Sequence, residues 1–148
     1  MKVNLRMLLS AVSVSAVLLA VAGVPSSAQN LSDGVVVNLP YVVTVGTADL
    51  QPGEYLLKYV DTLRMLNVYE RGSGKFVMFT WCSPQDSADL EPRTEVVLLH
   101  EADKYAFERV SLAGGQSYLV RAVGPFEKNG QTLATTRVTI PANPARGN

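Results

Sequence analysis

One cysteine and one histidine stand among 148 residues, and each scarcity removes a class of chemistry. A single thiol closes no intrachain disulfide, so the fold must hold by packing. A zinc site needs several imidazole or thiolate ligands at defined spacing, and a hydrolase triad needs a histidine beside a nucleophile on a tight elbow. The sequence contains no CxxC pair and no G-x-S-x-G stretch. Helical periodicity is missing after residue 28, and the basic residues from Lys58 to Arg146 are scattered singly among acidic ones. Without a basic stripe to neutralise phosphates, nucleic acid is not the partner this chain is built for.

What is abundant is apolar residues, 47% of the chain, and they are densest at the N-terminus. Lys2 and Arg6 precede an uncharged run at 7–24, and PSSA follows with Ser26 and Ala28 small enough for the −3 and −1 positions of a signal-peptidase site. Residues 1–28 therefore read as a cleaved secretory signal, which would place the mature chain outside the cell or in the periplasm. An uncleaved anchor is the rival, since about 18 apolar residues just span a bilayer, and it would be the chain's sole route to a membrane. No cysteine stands near Ala28 to carry a lipid. Removing Lys2 and Arg6 leaves eleven basic against thirteen acidic residues, a net charge of −2. The remaining residues read as one all-β domain at 29–140 and a flexible tail at 141–148.

Alternation of period two carries the β reading. Val37, Leu39, Tyr41, Val43 and Val45 share one parity and would all point one way in an extended run, with Pro40 predicting an edge or a bend. QPGE at 51–54 reads as a type II turn with Gly53 at positive φ, and Tyr55, Leu57 and Tyr59 resume the alternation. Strands at about 63–69 and 75–81 flank RGSGK as a hairpin. The second of these is apolar on both faces, which predicts a central, doubly covered strand. Residues 82–93, CSPQDSADLEPR, read as a long polar loop. TEVVLLH, KYAFERV and QSYLVRA then form a meander, and a last strand runs over 134–140. The result is a single small antiparallel barrel or sandwich of seven to eight strands. An outer-membrane barrel would need strands of about 9 to 11 residues with a lipid-facing band, whereas most runs here are shorter and charged at several positions. The predicted core is Val37, Leu39, Val43, Tyr55, Leu57, Leu66, Val68, Val77, Phe79, Leu98, Phe107, Tyr118, Val120 and Val138.

The order VNLPYVVTVG, LQPGEYLL, RGSGKFVMF and VVLLHEADKYAFERV resembles a family of small secreted β-proteins abundant in soil bacteria. Those proteins open with an alternating N-I-P-F-like strand ending in V-G, continue with an L-P-A-G-x-Y turn, and carry a later strand ending in His before an acidic hairpin. Leu50, Gly53 and Tyr55 fit the turn, while Gln51 and Pro52 stand where the family more often has Pro and Ala. The resemblance covers roughly residues 35–110. It implies export and a barrel-like sheet, and it implies no activity.

Candidate chemistry is sparse. His100 ends VVLLH before Glu101 and Asp103 and reads as a hairpin-closing residue. Asp86, Asp89, Glu91 and Glu95 cluster along the long loop without the spacing of a calcium site, so no metal and no cofactor is expected. If the chain were an enzyme, Asp86, Asp89, Glu95 and His100 would be its only titratable group worth testing. Tyr69 and Trp81 are the aromatic candidates for stacking on a ligand, and with Asp86 and Asp89 they make up the candidate ligand-binding set. The leading expectation is a non-catalytic binding or structural module for an envelope or extracellular ligand. The alternative is a small-ligand carrier with a hollow barrel. Cys82 is expected to be buried, with an intermolecular disulfide as the competing reading.

N-terminal sequencing of protein exported by producing cells should return Gln29 or Asn30 as the first residue; recovery of Met1 would mean that the apolar segment is retained.

Overall fold

The computed structural model describes residues 31–86, 93–120, 127–128, 131–132 and 135–145. The expected signal, Asp89 and Glu91 lie outside these residues. A short 3-10 turn at Leu31–Asp33 leads into twelve strands: β1 (Val35–Leu39), β2 (Val43–Val45), β3 (Ala48–Leu50), β4 (Gly53–Val60), β5 (Met65–Glu70), β6 (Phe76–Asp86), β7 (Glu95–Glu101), β8 (Lys104–Ser111), β9 (Gln116–Val120), β10 (Glu127–Lys128), β11 (Gln131–Thr132) and β12 (Thr136–Pro144). Eight of them close a ring in the order β1, β4, β5, β6, β9, β8, β7, β12, every pairing antiparallel. The protein is a closed eight-stranded β-barrel. The hairpin β2–β3 adds to it outside the ring through a short parallel pairing of Val43 and Thr44 with Tyr105 and Ala106. The pair β10–β11 forms a separate two-residue ribbon.

Two long strands turn the corners. In β6, Phe76–Trp81 pairs with β5 and Cys82–Asp86 pairs with β9. In β12, Thr136–Pro141 pairs with β7 and Ala142–Pro144 with β1. A strand that hands over from one neighbour to the next lets a twisted sheet bend back on itself and close. Register shifts after Val68 and after Val97 mark two bulges, the usual device for adding local curvature.

Side chains fill the inside. Leu39, Leu57, Leu66, Leu98, Phe107 and Leu112 are fully buried, and Leu31 joins the same cluster from the 3-10 turn. Outside, Thr136, Arg137 and Thr139 on β12 face solvent, and Arg137 forms a two-pronged pair with Glu108 at 2.8–3.1 Å. An apolar inside with a polar β12 exterior is the reverse of a porin-type barrel, whose lumen is polar.

Four expectations need correcting. Val77 and Phe79 are not core but exposed, and β6 is covered on one face only. The loop expected from residue 82 begins later, because β6 runs on through Pro84 to Asp86 once β9 becomes its partner. The tail expected from residue 141 is strand as far as Pro144, where β1 takes over from β7. Finally, Gly53 does not have a positive φ. It is extended and pairs with Leu39 as the first residue of β4, while the Tyr55 hydroxyl donates to the Gln51 carbonyl at 2.7 Å and pins the preceding turn. Pro40 does break the first alternating run, and Tyr41 therefore does not share the inward side of Val37, Leu39, Val43 and Val45: it is exposed with Val42 between β1 and β2. Val138 is partly buried against the core, and the other predicted core positions are buried.

The glycine that the fold requires is Gly34, at φ +98°, where an added Cβ would sit 2.9 Å from Leu56 Cδ1 and 3.2 Å from Ala145 Cβ. Its carbonyl accepts from the Ala145 N–H at 2.9 Å, tying the end of β12 to the start of β1. Gly34→Ala should therefore cost about 1–3 kcal/mol in chemical denaturation, whereas Gly53→Ala, whose Cβ would meet nothing closer than 3.7 Å, should stay within about 0.5 kcal/mol.

Candidate functional site

The outer face of β4, β5 and β6 is the most distinctive surface of the described residues, and its origin is a matter of register. Leu66 and Val68 of β5 point into the barrel, and they pair with Thr80 and Met78. Directly paired residues share a face of the sheet, so Met78, Thr80 and Cys82 must face inward. Val77, Phe79 and Trp81 are turned out. They are 43%, 50% and 55% exposed, and Phe76 at the strand start is 48% exposed.

Cross-strand pairing spreads this apolar stripe sideways. Trp81 stands opposite Met65, which stands opposite Val60. At the other end Phe76 pairs with Tyr69, Tyr69 with Leu56, and Leu56 with Val36 of β1. Between the two rows lie Phe79, Asn67 and Lys58. The rings meet edge to face: Phe79 and Trp81 at 6.5 Å and 88°, Tyr69 and Phe76 at 5.6 Å and 70°. Such T-shaped contacts set the positive edge of one ring against the negative face of its neighbour.

Charges of both signs edge the face. Asp61 and Arg64 flank the Trp81 end, and Glu70, Arg71 and Lys75 flank the Phe76 end, all exposed. Each end also carries an open depression. One of about 220 Å³ is lined by Arg64, Trp81, Cys82 and Ser83. The other, about 480 Å³, is lined by Val36, Glu54, Arg71, Asn143 and Pro144.

Of the candidate residues read from sequence, Tyr69 and Trp81 fall on this one face, at opposite ends of it. Asp86 is exposed in the half of β6 that pairs with β9 and does not join them. Glu95 and His100 lie at opposite ends of the β7–β12 pairing, against Pro141 and Thr136, roughly 16 Å apart along the strand. The His100 imidazole is instead stacked on Tyr105 at 4.4 Å, and Tyr105 on Tyr41 at 4.0 Å. Burial and the neighbouring Tyr41 raise the Tyr105 pKa. No group of three or more His, Cys, Asp or Glu among the described residues converges to hold a metal ion. Phe76, Val77 and Phe79 are the site residues that sequence reasoning missed, because a strand apolar on both faces does not reveal which face is covered.

Inside the barrel, behind Trp81, lies a second small cluster. The Tyr59 and Tyr118 rings pack at 4.6 Å and 53°, and Cys82 beside them is 3% exposed. Burial pushes the Cys82 thiol up to about 12. Burial and then the Asp61 carboxylate, through its charge and a side-chain hydrogen bond, raise Tyr59. Burial and then Tyr59 raise Tyr118.

Comparison of the chain with protein-family models, with curated proteins and with solved structures finds no match.

A thiol sealed and held protonated is a poor nucleophile. Native Cys82 should resist a soluble disulfide reagent at pH 8 and react at once in denaturant; rapid native labelling would place the sulfur outside. Its folded pKa is raised, so the linked stability is intact below the ordinary value of 9.0 and is lost as pH rises from there towards about 12. The thermal midpoint of the native protein should fall across that window, and less so in Cys82→Ala.

Proposed function

We propose that this chain is an exported, non-catalytic β-barrel domain that works as an interaction module of the cell envelope or exterior, engaging its partner through the outer face of β4–β6. The observation that carries this reading is the exposed stripe Phe76, Val77, Phe79 and Trp81. Its three aromatic rings, each about half exposed, present on the order of 300 Å² of apolar surface, and the adjoining half-buried rows extend it. Contiguous apolar patches of that size on a monomer are often functional. The segment that reads as a signal supports the location, and the spread of Glu95 and His100 along β7 supports a role without catalysis.

A carrier is the alternative function, and the packing of the barrel speaks against it. An eight-stranded barrel has room inside for its own side chains or for one small ligand, and here Phe107 and a set of fully buried leucines take that space.

Occupancy of the face can be read in cells. A Val77→Cys variant should react with a membrane-impermeant maleimide at least about tenfold more slowly in intact producing cells than as dilute purified protein, while Thr139→Cys, on the exposed side of β12, should react equally in both. Equal rates for the two variants in cells would mean that nothing covers the face, and failure of both to label would mean that the chain is not exported.

A further inference from the structure

We propose that Tyr41 and Tyr105 form a site of oxidative cross-linking, at which a one-electron oxidant driven by hydrogen peroxide joins the two phenol rings by a carbon–carbon bond. The bond would staple the crossover between β1 and β2 to β8. The site belongs to that crossover and to β8, and is independent of what the β4–β6 face engages.

The two rings are parallel, at 2° and 4.0 Å between centroids. Carbon atoms in van der Waals contact stand about 3.5 Å apart, so rings at that centroid distance are offset sideways by no more than about 2 Å. Tyr105 is held between its neighbours: it pairs with Val43 of β2 and with His100 of β7, and the His100 ring stacks on it at 4.4 Å. Burial raises the Tyr105 pKa first, then the Tyr41 charge and a side-chain hydrogen bond with Tyr41. That hydrogen bond puts the two hydroxyls at the same end of the stack, so the ring carbons beside them overlie one another.

Loss of one electron and the hydroxyl proton turns a phenol into a neutral radical whose unpaired spin is shared by the oxygen and the ortho carbons, the Cε atoms. The p orbitals of those carbons stand perpendicular to the ring, so in a face-to-face pair they aim at the neighbouring ring. Reacting atoms held about 3 to 3.5 Å apart with orbitals aligned are poised to react. Two such radicals combine through a Cε–Cε bond; each bonded Cε then sheds its hydrogen as a proton while the phenol oxygen regains one, and both rings are aromatic again. In sum, two phenols give up two hydrogen atoms, and one hydrogen peroxide takes them to form two waters. Tyr41, 38% exposed, is where the oxidant acts. Ring contact lets Tyr105 pass an electron to the oxidised Tyr41, which is then oxidised a second time, so Tyr105 needs no access of its own.

The other tyrosine pair among the described residues, Tyr59 with Tyr118, is tilted at 53° and buried inside the barrel. Tyr55 is buried too, and the ring that Tyr69 meets is Phe76, which has no hydroxyl to oxidise. Cys82 is the chain's one thiol and is buried, so a phenol–phenol bond supplies the covalent closure that no intrachain disulfide can. It would reinforce a slender joint, since the parallel pairing that ties the β2–β3 hairpin to the ring involves Val43 and Thr44 only.

The test treats the purified chain with a haem peroxidase and hydrogen peroxide at about 1 μM, where coupling within a molecule outruns coupling between molecules. The monomer band should acquire the blue fluorescence of a biphenol. Cleavage after Lys and Arg should leave residues 105–109 joined to the peptide that ends at Lys58, two hydrogens lighter than the sum of the parts. Tyr41→Phe and Tyr105→Phe, which keep the stacked ring but lose one phenol, should each lower the monomer fluorescence at least about tenfold, while Tyr69→Phe should couple as wild type does. Absence of the joined peptide from wild type, its persistence in Tyr41→Phe, or coupling solely between molecules would overturn the inference. The wild-type peptide decides the matter even where a variant folds poorly.

Discussion

The pairing of β5 with β6 is the constraint from which most of the molecule follows. Because Leu66 and Val68 must be inside the barrel, the register Leu66–Thr80 and Val68–Met78 assigns every β6 side chain to a face. The same strand must then reach β9 to close the ring, and it does so by running straight through the corner at Trp81 and Cys82. A one-residue slip would bring Phe79 and Trp81 in and put Thr80 and Cys82 out. It would also force large rings into a barrel already filled by Phe107 and the leucines. Inside, small side chains suit this wall: Thr80 and Cys82 leave room for the Tyr59 and Tyr118 rings, which pack on each other at 4.6 Å.

Satisfying the interior this way has an external consequence. Each half-exposed ring on β6 leaves about 2 kcal/mol of burial unrealised. On the far wall the same accounting does not arise, because β12 presents Thr136, Arg137 and Thr139 to solvent. The barrel is thus lopsided, with one wet flank and one apolar flank, and the apolar flank is where a partner gains most by docking. The Tyr59–Tyr118–Cys82 cluster lies on the other side of the same wall. Its buried groups hold their protons, so the wall stays neutral at ordinary pH.

The chemical candidates sort differently in space than along the chain. His100 precedes two acidic neighbours in sequence, but its ring is engaged by Tyr105, which in turn holds Tyr41 in the crossover between β1 and β2. That three-ring stack secures the point where Pro40 breaks the strand. Tyr69 and Trp81, twelve residues apart, fall on one face at its opposite ends because β5 and β6 are neighbours, while Asp86 leaves with the half of β6 that follows β9.

Alternation, turn residues and proline placement determined the all-β class, the positions of the eight barrel strands to within a few residues, and the break at Pro40. They also determined which residues of β1, β4 and β5 are core, because in those strands one parity is apolar and the other mixed. Local signals failed where both parities were apolar or where a strand changes neighbours. Residues 76–81 are apolar on each face, so their orientation waited on the register with Leu66 and Val68. Pro84 and Pro141 look like strand ends until β9 and β1 arrive as new partners, and Gly53 looks like a turn residue until Leu39 pairs with it. Period two tells how a strand alternates, but only the pairing with a neighbour whose inner face is already known tells which way it points, and that decision created the aromatic face.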